Sequence, residues 1–386
     1  MNQVLFVSNG NGEAAIAQCI ANALHSLGSF ACDHLALVGG AAPSEHLTPV
    51  GPRKAMPSGG LLAMGNARNI RKDIAAGLLG HTWEQLRFAR SARGRYDAVV
   101  AVGDVFALLF ALRTGSPTIF VGTAKSVHVA PYGPVEARVL RRARAVFVRD
   151  ADTAQALRRR GVDAEAPGNV IADLFARSDD ASSGSAYEPT LALFPGSRSS
   201  AYDEAAFLCA VVREIAGSRE RLGAILSVAP SLDAQTFERV LTHDGWTVRY
   251  DERSERIPFT LYDGARALVT GWSGALGVML ARATLVLGQA GTANEAASAR
   301  GVPVVAFEPA AQQKMSWYRM RQAGLLGEGL LVVRGGKQEA VAAVGALLDD
   351  EPRRNRMGAA GRERMGSAGG ARAVAQRIAA IAGARV

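Results

Sequence analysis

The chain has 386 residues, 48% hydrophobic and 20% charged, a balance that excludes a disordered chain and leaves room for two domains of ordinary size. A formal net charge of +9 favours an anionic partner, and nucleic acid, anionic lipid or a diphosphate would each satisfy it. No RNA-type aromatic cluster or zinc-finger spacing is present, so nucleic acid is set aside, and Cys19, Cys32 and Cys209, with no CxxC pair, exclude a disulfide framework.

The opening MNQVLFVSNGNGEAA lacks a basic segment followed by a long apolar stretch, and no run of about 18 apolar residues occurs, so the expected compartment is the cytosol or its membrane face. QVLFVSN reads as a buried strand entering the Gly-rich turn Gly10-Asn11-Gly12 and then the helix EAAIAQCIANALHSL. HLALVGG, YDAVVAVGD, SPTIFVG and RAVFVRD are further short apolar runs between helical stretches, the signature of βαβ units. Residues 1–175 are therefore predicted to form one doubly wound domain. Residues 176–190 switch to Ser, Asp and Gly without an apolar period and read as a linker. The strand pattern restarts over 191–368 with TLALFPGSR, RLGAILSVAP, WTVRYD, ALVTGW, TLVLGQAG, VPVVAFEP and GLLVVRGG, read as a second parallel sheet. Residues 369–386 form a final predicted helix, expected to pack back on the N-terminal domain.

Gly10 to Ala15 fits GxGxxA after a first strand, the outline of a dinucleotide site. Such a site needs an acidic residue ending the second strand to hold a ribose. HLALVGG ends in Gly39 and Gly40, with Asp33 before it, so NAD is not predicted. The turn serves close helix–sheet packing, or it sets Glu13, Asn11 and Gly12 at the edge where substrates of open sheets bind. Asp150-Ala151-Asp152 has the form of a DxD metal site, but it precedes the helical TAQALRRR, where an Asp caps backbone N–H groups. The histidines show no metal-ligand spacing, and no metal is assigned.

Two segments carry the main signal. One strand runs into Pro195-Gly196-Ser197-Arg198, where Gly196 permits close backbone approach, Ser197 offers a hydroxyl and Arg198 a planar fork for phosphate oxygens. Another runs into Gln289-Ala290-Gly291-Thr292-Ala293 and a helix, whose free N–H groups suit an anion, with Glu295 placed for ribose hydroxyls. Asp104 ends the strand YDAVVAVG as a general base or as the cap of FALLFALR; Lys125 meets a phosphate or is a solvated lysine. Between residues 58 and 90, Leu61, Leu62, Met64, Ile70, Ile74, Leu78, Leu79 and Trp83 mix with Arg68, Arg71 and Lys72, as for a helix packed on its own domain or against an anionic membrane surface.

At PGSR and AGTANE the sequence resembles the lipid A disaccharide synthase group of GT-B glycosyltransferases, and more closely the branch called lipid-A-disaccharide synthase-related proteins. The resemblance runs over nearly the whole chain, through MPSGG, DIAAGLLGHTWEQ, VGTAKS, VFVRDADTAQALRRRGVDAEAPGN, LALFPGSR, ARATLVLGQAGTANEA and GVPVVAF. It implies two Rossmann-like domains facing a cleft, a UDP-sugar donor, no bound cofactor and no obligatory metal, and the leading reading is transfer of a sugar from a UDP-sugar to a lipid-linked or amphipathic sugar acceptor. By position, Gly196, Ser197, Arg198, Gly291, Thr292, Ala293 and Glu295 would contact the donor, Asp104 would be the base and Glu13 would lie beside it. The chain departs from the synthase after Glu13, where Ala-Ala-Ile-Ala stands for a nearby Asp, and at VGTAKSVHVAPYG, which replaces an aromatic Ser-Pro segment. UDP-sugar epimerisation or hydrolysis on the same scaffold is a second reading, and non-catalytic binding of a nucleotide sugar a third.

Overall fold

A computed structural model of the chain describes residues 2–38, 44–54, 74–123, 125–174, 189–250, 254, 256–309 and 315–383. The chain divides into two compact units, Met1–Leu174 with Gly366–Val386, and Phe175–Met365.

The first unit is built on a parallel sheet of β1 (Asn2–Ser8), β2 (Phe30–Ala36), β3 (Thr48–Pro49), β4 (Ala98–Gly103), β5 (Thr118–Gly122), β6 (Ala145–Phe147) and β7 (Ala164–Glu165). Their order is β3-β2-β1-β4-β5-β6-β7. β4 and β5 are buried along their whole length, which is why AVVAVG and TIFVG are unbroken apolar runs and not alternating ones. The chain reverses its direction of growth at β1, so the ends of β1 and β4 form the switch point of this sheet. The helices Asn11–His25 and Gly370–Gly383 pack on each other and against β1 and β4. The late helix is held at its start by Asp173, whose two carboxylate oxygens accept from the backbone N–H groups of Gly369 and Ala371, both at 2.7 Å. β2 begins at Phe30, earlier than HLALVGG suggests, because Cys32 and His34 alternate inward. Asp33 therefore lies within this strand, where its carboxylate accepts the Tyr96 hydroxyl at 2.7 Å.

The second unit holds β8 (Thr190–Phe194), β9 (Gly223–Ser227), β10 (Thr247–Arg249), β11 (Thr260–Asp263), β12 (Arg266–Trp272), β13 (Leu285–Gly288), β14 (Val304–Glu308) and β15 (Leu330–Arg334), in the order β10-β11-β12-β9-β8-β13-β14-β15. From β12 to β15 all pairs are parallel, and counted along the chain these strands run 3-2-1-4-5-6. The sheet is not parallel throughout, contrary to the expectation from its apolar runs. β10 and β11 are antiparallel additions at one edge, and β11 joins β12 in a hairpin through Gly264-Ala265, which follows Asp263, with Gly264 at φ +59°.

The linker residues 176–188 lie outside the described residues, as do Leu61, Leu62, Met64, Arg68, Ile70, Arg71 and Lys72 of the basic apolar stretch. The remainder of that stretch includes Ile74, 45% exposed, and the helix Leu78–Ser91, which buries Leu78, His81, Gln85 and Ala89 and leaves Leu79 68% and Trp83 59% exposed. Among the described residues no helix is long and apolar enough to cross a membrane.

Candidate functional site

In the second unit, β8 and β13 are neighbours, with Phe194 opposite Gly288. The backbone N–H groups of Gln289 and Ala290 both donate to the Phe194 carbonyl, at 2.8 and 3.1 Å. The turns Pro195–Arg198 and Gln289–Gly291 therefore leave the sheet side by side, at its switch point. Gly196 makes its turn at φ +115°, Ser197 accepts the Ser231 hydroxyl on its carbonyl at 3.1 Å, and Arg198 is exposed. The helix Thr292–Ala299 starts directly after Gly291, which has no side chain to cap it. Its opening N–H groups thus receive no acceptor from the capping position, and the positive end of the helix follows directly on the turn that lies beside Pro195–Arg198. Thr292, Ala293 and Glu295 are half-buried in its first turn.

A buried polar network fixes this turn. The Gln289 amide is fully used: Nε2 donates to Glu204 at 2.9 Å and to the Phe307 carbonyl at 3.1 Å, while Oε1 accepts from Phe307 N–H and from Arg319. Gln289 is thus a strut beneath the turn. Arg319, 4% exposed, also donates to Gln322, which passes a hydrogen bond of 2.9 Å to the Ala290 carbonyl. Burial pulls the Arg319 pKa down, while Tyr318, Glu308 and Glu204 oppose that pull, and a guanidinium so surrounded stays charged at neutral pH. Asn294, wholly buried, donates to the Gly288 carbonyl at 2.9 Å. Above the turn stands Tyr318, whose hydroxyl lies 2.8 Å from the place a Cβ on Gly291 would occupy. Sequence reasoning missed Tyr318, Arg319 and Gln322, which approach from a later helix; their only sequence signal is polar residues spaced along the otherwise apolar stretch Trp317–Leu326.

In the first unit, Asp104 is the N-cap of the helix Val105–Ala111, accepting from Ala107 N–H at 3.1 Å, and its other oxygen accepts from the Asn9 amide at 3.0 Å. Asp104 is half-buried, so capping does not remove it from solvent. Glu13 lies in the first turn of the helix Asn11–His25 and fits between two positive-φ glycines: a Cβ on Gly10 would fall 2.6 Å from its Oε2 and one on Gly103 2.7 Å from its Cγ. Glu13 and Asp104 therefore share the switch point of this sheet, with Asn11 exposed and Gly12 half-buried beside them. Lys125 follows the neighbouring strand β5 and is engaged locally, 2.7 Å from Glu136 and over the Tyr132 ring. Asp150 caps the helix Ala151–Arg158 through Thr153 N–H at 2.7 Å, and Asp152 pairs with His128 at 3.3 Å.

No family model and no curated protein sequence matches the chain. Solved structures match it over nearly its full length. The UDP-GlcNAc 2-epimerase of Methanocaldococcus jannaschii, in complex with UDP-GlcNAc and UDP, is 14% identical with a TM-score of 0.56, over 98% of this chain and 100% of that one. MurG of Acinetobacter baumannii is 13% identical with a TM-score of 0.51, over 98% and 99%. Phytolacca americana UGT2, complexed with UDP-2-fluoro-glucose and pterostilbene, is 13% identical with a TM-score of 0.59, over 99% and 100%. At these identities the likeness shows the fold: the chain is an α/β protein of the GT-B type, with two Rossmann-like domains.

Proposed function

We propose that the chain is a UDP-sugar-dependent glycosyltransferase whose acceptor is a lipid-linked or amphipathic sugar, as its resemblance to the lipid A disaccharide synthase-related branch implies. The observation that carries the donor half is the meeting of the Arg198 turn with the uncapped start of the helix Thr292–Ala299, a fixed cationic surface for a diphosphate. In this reading the acceptor oxygen attacks the anomeric carbon, the bond from that carbon to the diphosphate breaks, and UDP leaves with the electron pair. Asp104 takes the acceptor proton, with Asn9 fixing its carboxylate and Glu13 alongside. Arg198 and the helix N–H groups of Thr292 and Ala293 stabilise the charge growing on the leaving group, and Glu295 holds the ribose hydroxyls. The exposed Leu79 and Trp83 beside Arg87 and Arg90 support contact with an anionic membrane surface, where such an acceptor resides.

The test is turnover of labelled UDP-sugars, chosen by thermal shift, with and without a pool of sugar acceptors. Label transferred only in the presence of acceptor is the expected result. A rearranged sugar nucleotide or free sugar formed at a catalytic rate without acceptor replaces it with the epimerase or hydrolase reading. Binding without any turnover leaves a nucleotide-sugar-binding protein.

A further inference from the structure

Tyr318 opens the helix Trp317–Leu326, and the start of this helix is tied to the turn at Gln289–Gly291 from several directions. Ser316 caps it, accepting from Arg319 N–H at 3.2 Å, and the Ser316 N–H donates to the Glu308 carboxylate at 3.1 and 3.2 Å. Arg319 holds Gln289, and Gln322 holds the Ala290 carbonyl. This frame carries the Tyr318 hydroxyl to within 2.8 Å of the missing Cβ of Gly291, over the first residue of the helix Thr292–Ala299. The hydroxyl makes no hydrogen bond with the described residues, although Arg198 and Glu295 both act on it electrostatically. Were Tyr318 there for packing, a phenylalanine would serve and Gly291 could carry a methyl group. The oxygen is what occupies that space.

We infer that the Tyr318 hydroxyl donates a hydrogen bond to the distal phosphate of a bound nucleoside diphosphate, as a third anchor beside Arg198 and the helix start, an inference that rests on the donor site proposed above. The donor role requires a neutral phenol at working pH. Burial, the largest influence, raises the Tyr318 pKa, and Glu295 raises it further against the opposing pull of Arg319, Arg198 and Arg321, so the proton stays on. Gly291 is accordingly glycine for room: any side chain there displaces the donor from its place over the helix end.

The test is direct titration of the full chain with UDP, UMP and uridine. Tyr318→Phe is expected to weaken UDP about 10-fold, equivalent to about 1.4 kcal/mol, and to leave UMP and uridine within about 2-fold, with the ligand-free melting temperature unchanged. Gly291→Ala is expected to weaken UDP to a similar degree, and adding Tyr318→Phe to it to cost little more, since both changes remove the same contact. Wild-type affinity for UDP retained in Tyr318→Phe overturns the inference while leaving the donor site standing. Equal loss for UDP, UMP and uridine also overturns it, because the hydroxyl would then act on packing or on the nucleoside. A wild-type chain that binds none of the three overturns the donor site itself.

Discussion

The switch points of the two sheets have the same topology and opposite chemistry. In the first unit, β1 and β4 end in carboxylates, Glu13 seated between two glycines and Asp104 capping a helix. In the second, β8 and β13 end in a guanidinium and an uncapped helix start, with Gln289 and Arg319 bracing the turn from below. In the proposed function the first edge would take up a proton and the second would hold negative charge. The difference lies in the turn residues at the end of each strand, since the strand order itself is nearly repeated.

The two halves of this division of labour should fail in different ways. Arg198→Ala should lower turnover by ~10²–10⁴ and weaken UDP binding with it, because the charge on the leaving group loses its partner. Asp104→Asn should lower turnover on the same scale and leave UDP affinity unchanged. Asn is itself a good N-cap, so this substitution keeps the helix start and removes the base. Equal loss of UDP affinity in both variants, read by calorimetry, would break the comparison.

The two edges should also differ toward acid. In the first unit His34 is 2% exposed, lies 2.8 Å from the Ser8 hydroxyl, and is pushed by burial from 6.5 down to about 4. Between those values the unfolded chain binds a proton that the folded chain refuses, so stability should fall as pH drops from 6.5 toward 4. The loss is on the order of 3 kcal/mol and levels off below that window. Urea unfolding from pH 7 to pH ~4.5 measures it, and His34→Gln should flatten that part of the slope. In the second unit the sensitive point is steric. A Cβ on Gly288 would fall 1.9 Å from Oδ1 of the wholly buried Asn294, so Gly288→Ala should cost roughly 2 kcal/mol in the same assay. The smallest effect sharpens the contrast between caps. Asp150→Ala should cost about 1 kcal/mol of stability with kcat unchanged, which Asp104, as a cap that is also the proposed base, should not match.

Much of the fold was legible because strands buried on both faces write themselves as unbroken apolar runs, as in LALF and AVVAVG. The antiparallel edge was not, since β10 and β11 are short and bury few residues; the Gly264-Ala265 turn after Asp263 was the one local sign of a hairpin. The convergence of PGSR with AGT could be argued from composition, because glycine, small residues and an arginine after two strands have few other uses together. Asp104 was ambiguous in sequence and is in fact a helix cap, a role that its half-buried carboxylate can combine with another. The role of Tyr318 and Arg319 was not legible from the polar residues spaced along Trp317–Leu326. Their position over Gly291 depends on how a later helix folds back, and nothing in WYRMRQ distinguishes that from an ordinary amphipathic surface.

The Asp173 clip has a consequence for how the chain matures. The second unit is one continuous stretch, whereas the first is missing the helix that covers β1 and β4 until residues 370–383 have been made. During synthesis the later unit can therefore finish folding before the earlier one does. Until then Ile16 and Ile20 of the helix Asn11–His25 belong to a half-finished core, and the whole of the second unit is made before that gap can close.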